Sequence, residues 1–163
     1  MNTNYNTKNS RPYVNNHTDL PQYGTAPSLN LTITQIPSGT ANYAREVLRL
    51  VNVERSKAGL PAYTTNQTLT TAANKRAQEI TSSFSHTRPN GTSFFTVFRD
   101  YKIPFRAAGE NIAYGQRTPQ AVVSAWMKSP GHRKNILSSR FKKIGIGIAQ
   151  KSGRNYWSQE FTN

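Results

Sequence analysis

The stretch Lys143 to Ala149, KIGIGIA, constrains the fold more than any other part of this chain. Ile144, Ile146 and Ile148 alternate with glycines at the two-residue period of a β-strand, so one face is apolar and the other bare. Gly145 and Gly147 put no side chain on that bare face, which lets a helix lie close against it. The segment Asn155 to Phe161, NYWSQEF, can pair with it across a turn at Lys151 to Arg154 that contains Gly153. A third strand is available from Glu110 to Tyr114. So small a sheet needs cover on both faces to form a core. The expected fold class is therefore α/β, an α–β–α sandwich with a small antiparallel sheet covered by helices on both faces.

The helices for those two layers are legible from period and punctuation. Val47, Leu50, Val51 and Glu54 recur at helical spacing between about Asn42 and Lys57, and Gly59 with Pro61 stops that helix. Asn66 leads into a helix from Gln67 to about Ser82, with Leu69, Ala72, Ala73, Arg76, Ala77 and Ile80 on one face. The small alanines suit close packing. Phe84 to Gly91 reads as a loop with a turn at Pro89-Asn90-Gly91. Thr92 to Tyr101 reads as a short helix whose Phe94, Phe95, Val97 and Phe98 serve packing. Thr118 as N-cap and Pro119 at the first helical position open a helix to about Lys128. Ser129-Pro130-Gly131 breaks it before a short helix from His132 to Leu137. Glu46 and Glu54, each with arginine nearby in sequence, read as surface ion pairs.

At 163 residues there is room for one domain with a sizeable core. Residues 1–37 are rich in Asn, Thr, Pro and Tyr and poor in core formers, and read as a flexible polar arm preceding a domain at 38–163. Within the arm, Leu29 to Ile36 alternates well enough for a short strand. The chain carries 21 Lys and Arg against 7 Asp and Glu, a formal net charge of +14 that attracts polyanions. No basic helix, zinc-finger spacing or aromatic–basic interleaving is present, which argues against nucleic acid. An anionic cell-wall polymer or membrane surface suits charge spread along the fold, from Arg45 to Lys143. Without cysteine there are no disulfides and no thiolate metal ligands. No apolar run approaches the ~20 residues of a membrane span. The basic segment and apolar stretch of a signal peptide are also missing. For an exported protein, that implies a processed chain or delivery by another route, such as assembly within a sporulating cell.

Three histidines exist, and His17 in the arm reads as incidental. His86 follows the second helix, and His132 lies just past the Pro-Gly break. Two imidazoles with Glu110 can hold a divalent cation with water in the open position, or make a general base and its orienting partner. Neither is selected by spacing, since the three are not a local motif such as HExxH. Ser85 beside His86 lacks the G-x-S-x-G elbow of a hydrolase. A glycosidase would want a second carboxylate, and Glu110 has no evident partner. The KIGIGIA glycines belong to a strand and lack the Lys-Ser or Lys-Thr of a phosphate loop.

The stretches LVNVERSKAGLP (50–61), FSHTRPNGTSFF (84–95), AAGENIAYGQRTPQAVVSAWMKSPGHRKNIL (107–137), FKKIGIGIA (141–149) and YWSQEF (156–161) resemble the bacterial branch of the CAP superfamily. This is the SCP/PR1-like, cysteine-rich secretory protein family. The resemblance implies an α–β–α sandwich and a cleft lined by two histidines and acids, several relatives binding zinc or another divalent cation there. It assigns His86, Glu110 and His132 to that metal set. It also places Ser129 where relatives carry a second glutamate, and puts Gln159 at the cleft edge. No shared reaction follows from it. The resulting expectation is a secreted, envelope- or spore-associated binding protein, cleft for a cation or small ligand, basic surface for anionic material. The alternatives are a metal-dependent hydrolase using Glu110 on a peptide or wall substrate, or a structural spore or surface component.

Overall fold

Residues 39–163 are described by the structure, a computed structural model. The N-terminal arm, and the strand expected at 29–36, lie outside them. The elements run α1 (Gly39–Lys57), α2 (Gln67–Ile80), α3 (Thr96–Asp100), β1 (Ala108–Tyr114), α4 (Pro119–Lys128), α5 (Pro130–Ile136), β2 (Lys143–Lys151) and β3 (Arg154–Thr162). The three strands form one antiparallel sheet in the order β1-β3-β2. Ser152 and Gly153 both take positive φ between β2 and β3, the conformation a tight two-residue hairpin requires. The caps sit where local chemistry places them: Asn66 accepts from the Leu69 N–H, and Thr118 accepts from the Ala121 N–H with Pro119 beginning α4.

The alternation in β2 divides the molecule. Ile144, Ile146 and Ile148 pack with Trp157 and Phe161 of β3 against Val47 and Val51 of α1 and Val122 and Trp126 of α4. On the other face α2 lies directly over the glycines. A Cβ on Gly145 would stand 2.4 Å from the Leu69 carbonyl oxygen, and one on Gly147 would stand 2.0 Å from that of Ala73. No side chain fits between helix and strand at these points, so the bare face predicted from KIGIGIA is the seat of α2. Leu69 and Ala72 also join Val97 and Phe98 in a second apolar cluster, with Phe94, Phe95 and Phe105 packed around it.

Two local expectations change. The helix foreseen over 92–101 is confined to Thr96–Asp100. Residues before it pair with the preceding loop instead: Phe94 N–H donates to the His86 carbonyl at 2.9 Å and Arg88 N–H to that of Thr92 at 2.7 Å. Among the cations taken as surface charge, Arg55 and Arg76 are interior. The Arg55 guanidinium donates to the carbonyls of Pro61, Ile136 and Ser138 at 2.7–2.9 Å and lies 3.6 Å over the Tyr63 ring. Glu46 pairs with Arg49 on the surface, and Glu54 pairs with Lys57 rather than with arginine.

Candidate functional site

Glu110 and Asn111 are neighbours on β1, so their side chains leave opposite faces of the sheet. β1 is an edge strand, and each residue secures one of the two histidines. On the α2 face, Glu110 Oε1 accepts from His86 Nδ1 at 2.7 Å. On the other, Asn111 Nδ2 donates to the main-chain carbonyl of His132 at 3.1 Å and to Gln159 Oε1 at 2.9 Å. Asn135 of α5 completes the second contact by donating to Asn111 Oδ1 at 2.9 Å and to the Glu110 carbonyl at 3.2 Å. The imidazoles come near enough for electrostatic contact: burial, and then the charge of His86, holds the His132 pKa below its ordinary value. The preceding Gly109 leaves room for Phe141, whose ring would lie 2.8 Å from a Cβ there.

Glu110 is locked from behind. Its side chain is wholly buried. Arg76, from the apolar face of α2 and itself 0% exposed, donates through Nε to Oε2 at 2.7 Å and through Nη2 to Oε1 at 3.2 Å. Such a fork on a carboxylate fixes orientation as well as charge. Arg76 also donates to Glu79 at 2.8 Å and to the Ser85 carbonyl at 2.8 Å. Glu79 in turn accepts two bonds from Arg88, whose Nη1 reaches Asp100 and Thr96. A chain of alternating charges, Asp100–Arg88–Glu79–Arg76–Glu110, ending on the His86 ring, thus ties α3, the 84–91 loop, α2 and β1 together. Burial pushes the Glu110 and Glu79 carboxyls up, but bonds from His86 and Arg76 in the first case, and from Arg88 and Arg76 in the second, bring both below the usual range.

The sequence offered Glu110 no acidic partner, and the fold supplies one. Glu160 sits directly opposite Glu110 in the β1–β3 register and is fully buried. Its Oε1 accepts from the Ser158 hydroxyl at 2.6 Å, while Oε2 has no hydrogen-bond partner. Glu110 lies across from it in the register, a like charge that disfavours ionisation of both carboxyls at once. Burial, and then the charge of Glu110, raises the Glu160 pKa well above the ordinary carboxyl range. Glu160 therefore keeps its proton to higher pH than an ordinary carboxyl.

Of the residues expected in the site, His86, Glu110 and His132 flank the edge of β1, with His86 exposed and His132 half-buried. They do not converge as three ligands, and no such cluster of acids and histidines exists among the described residues. Glu110 reaches Nδ1 of His86, which leaves Nε2 as the free ring nitrogen. Ser129 sits between α4 and α5 in extended conformation, and its hydroxyl makes no cap bond. Gln159 is fully buried, in the layer on the Asn111 side. The residues not foreseen are Glu160, Asn111, Asn135, and the ion-pair roles of Arg76, Glu79 and Arg88. Arg76 did carry a signal, being an arginine on an otherwise apolar helix face.

The family model for the cysteine-rich secretory protein family (CAP) matches residues 48–161. YkwD of Bacillus subtilis strain 168, described as uncharacterized, is 40% identical over 132 residues, covering 80% of this chain and 51% of YkwD. The uncharacterized membrane protein YlbC of the same strain is 32% identical over 119 residues, 72% of this chain and 33% of YlbC. The chain therefore spans about half and a third of the length of these relatives. Among solved structures, an extracellular protein of Bacillus anthracis strain Ames containing an SCP domain superimposes with a TM-score of 0.71 at 28% identity, covering 76% of this chain and 41% of that one. With the sandwich, the G-E-N strand and the two histidines in place, the chain belongs to the CAP, or cysteine-rich secretory protein, family.

Proposed function

We propose that this domain is an exported binding module in which His86 and His132 hold a divalent cation, zinc being the probe of choice, while the basic exterior adheres to anionic wall or membrane material. The observation that carries this reading is the use made of Glu110. A carboxylate bonded to Nδ1 of a histidine fixes its tautomer and leaves Nε2 as a metal-ligating nitrogen, the usual outer partner of a histidine ligand. Both oxygens of Glu110 are already engaged, and its side chain has no exposed surface. It is thus a positioning residue for His86, poorly disposed to take a proton from water as the hydrolase reading required. A cation there would polarise whatever oxygen or nitrogen entered its open positions. The extracellular description of the Bacillus anthracis relative supports placement outside the cytoplasm. No helix among the described residues is long and apolar enough to cross a membrane.

The test is calorimetric titration of the metal-stripped full chain with Zn²⁺ near neutral pH, with His86→Ala, His132→Ala and Glu110→Gln alongside. One-to-one binding abolished in both alanine variants is expected, with Glu110→Gln retaining a site weakened about 10- to 100-fold. Binding that survives either alanine substitution would overturn the two-histidine site. Peptidase or wall-hydrolase turnover abolished by Glu110→Gln would restore the hydrolase.

A further inference from the structure

Lys128 at the end of α4, Arg133 and Lys134 on α5, and Arg140 beyond it line one groove of about 620 Å³, with Met127 and Leu137 among its apolar lining. All four cations are exposed, and none has an acidic partner among the described residues. The described acids are engaged elsewhere: Glu46 by Arg49, Glu54 by Lys57, Glu79 and Asp100 by Arg88, and Glu110 by Arg76, with Glu160 wholly buried in the sheet. Glu54, which lines the adjoining hollow with Lys128, is held by its own lysine. The groove wall is also fixed in advance. Arg55 grips the carbonyls of Ile136 and Ser138, and the Tyr63 hydroxyl donates to those of Asn135 and Ser138 at 2.9 and 3.0 Å. Fixing the backbone beforehand lowers the ordering cost of binding.

We infer that this groove binds a polyol-phosphate chain, such as a poly(glycerol phosphate) wall polymer, with successive phosphates on the four cations and the carbon spacers on Met127 and Leu137. The inference rests on the anionic-surface part of the proposed function and gives it a location and a chemistry. Three features select this occupant. The cations line a shallow, open groove along α4, α5 and the residues after it, which a flexible chain can follow. The volume accommodates several atoms beyond a single phosphate and falls in the range of ligand-sized sites. No aromatic side chain lines the groove, so a single-stranded nucleic acid would lack the stacking surfaces it uses.

The experiment measures binding of the full chain to a defined synthetic poly(glycerol phosphate) across a salt series. Oligothymidylate, phosphatidylglycerol vesicles and inorganic phosphate are the comparison ligands. The double variant Arg133→Gln/Lys134→Gln removes two exposed cations. The double variant Arg117→Gln/Arg154→Gln removes the same charge at the β2–β3 turn end of the sheet. Each phosphate deprived of its cation should lower the slope of log affinity against log salt by roughly 0.7, so the groove variant should bind about 25-fold more weakly at about 0.1 M salt. The distal variant should weaken only a few-fold through the overall field, and the unchanged melting temperatures of both should show that the fold persists. Equal weakening in the two variants would overturn the groove while leaving adhesion to anionic material intact. Tighter binding to vesicles or oligothymidylate would overturn the choice of ligand. Binding to none of these polyanions would overturn the anionic-surface reading as well.

Discussion

Gly147 is where one methyl group should do most damage. A Cβ added there stands 2.0 Å from the Ala73 carbonyl oxygen, 2.2 Å from its carbon and 2.6 Å from the Asn74 nitrogen. All three are backbone atoms of α2, so no side-chain rotation relieves the contact. To restore ordinary separation the helix must retreat by roughly 1.4 Å, a gap wide enough to forfeit more than half of the facing dispersion energy. Leu69, Ala73 and Ala77 would lose their seat on the sheet, and the 2.7 Å bond from Arg76 to Glu110 would lengthen beyond hydrogen-bonding range. Overpacking alone costs about 1–3 kcal/mol. The weakened interior ion pair brings the expected loss for Gly147→Ala to about 3–5 kcal/mol. For a domain of this size that is a fall in melting temperature of roughly 10–20 °C. Circular dichroism melts of wild type, Gly147→Ala and Gly131→Ala would measure it. Gly131 has open space around its Cβ position and no positive φ, so its alanine variant should be neutral or slightly more stable. A Gly147→Ala melt within about 2 °C of wild type would refute the close-packing argument.

Gly109→Ala presents the contrasting case, since its Cβ meets the Phe141 ring at 2.8 Å and a side chain can yield. A loss of only about 1–2 kcal/mol in urea titrations is expected, and a loss equal to that of Gly147→Ala would contradict the distinction. Arg76→Met leaves Glu110 and Glu79 short of a buried cation and should cost about 3–5 kcal/mol near neutral pH. That deficit should shrink on acidification as the orphaned carboxyls protonate, and a deficit below about 1 kcal/mol would show the network to be dispensable. Glu160 titrates above its ordinary value of 4.5 in the folded state, so its contribution is full below that value and is lost as pH rises toward the folded one. Glu160→Gln has no ionisable proton, so it should gain on wild type with rising pH, by up to about 1.4 kcal/mol per unit. Parallel stability–pH curves for the two proteins would contradict the raised Glu160 value. Glu79 and Glu110, with lowered values, contribute in the opposite sense, their stabilisation being lost as pH falls below 4.5.

Much of the frame was readable from local signals because those signals act over a few residues. The Ile–Gly alternation of β2, the Asn66 and Thr118 caps and the Gly153 turn each depend on backbone preference or on bonds spanning at most four positions. The bare strand face even specified that a helix would sit on it, and the alanines of α2 identified a helix able to do so. His86, Glu110 and His132 could be singled out by residue type and by the motifs around them. What they do could not, since that depends on groups remote in the chain. Arg76 lies 34 residues from Glu110, and Glu160 becomes its partner only through the β1–β3 register, in which a one-residue slip would turn its side chain to the opposite face. Environment then pushes the same residue type in opposite directions: down at position 110, where arginine and histidine donate to it, and up at position 160, where burial and the Glu110 charge disfavour ionisation. Local sequence thus determined the strands, the caps and the candidate histidines. The packing of α2 onto the glycine face decided which carboxyl is pushed up, which is held down and which ring nitrogen is left free, because those follow from distances and desolvation that exist only once the layers have closed.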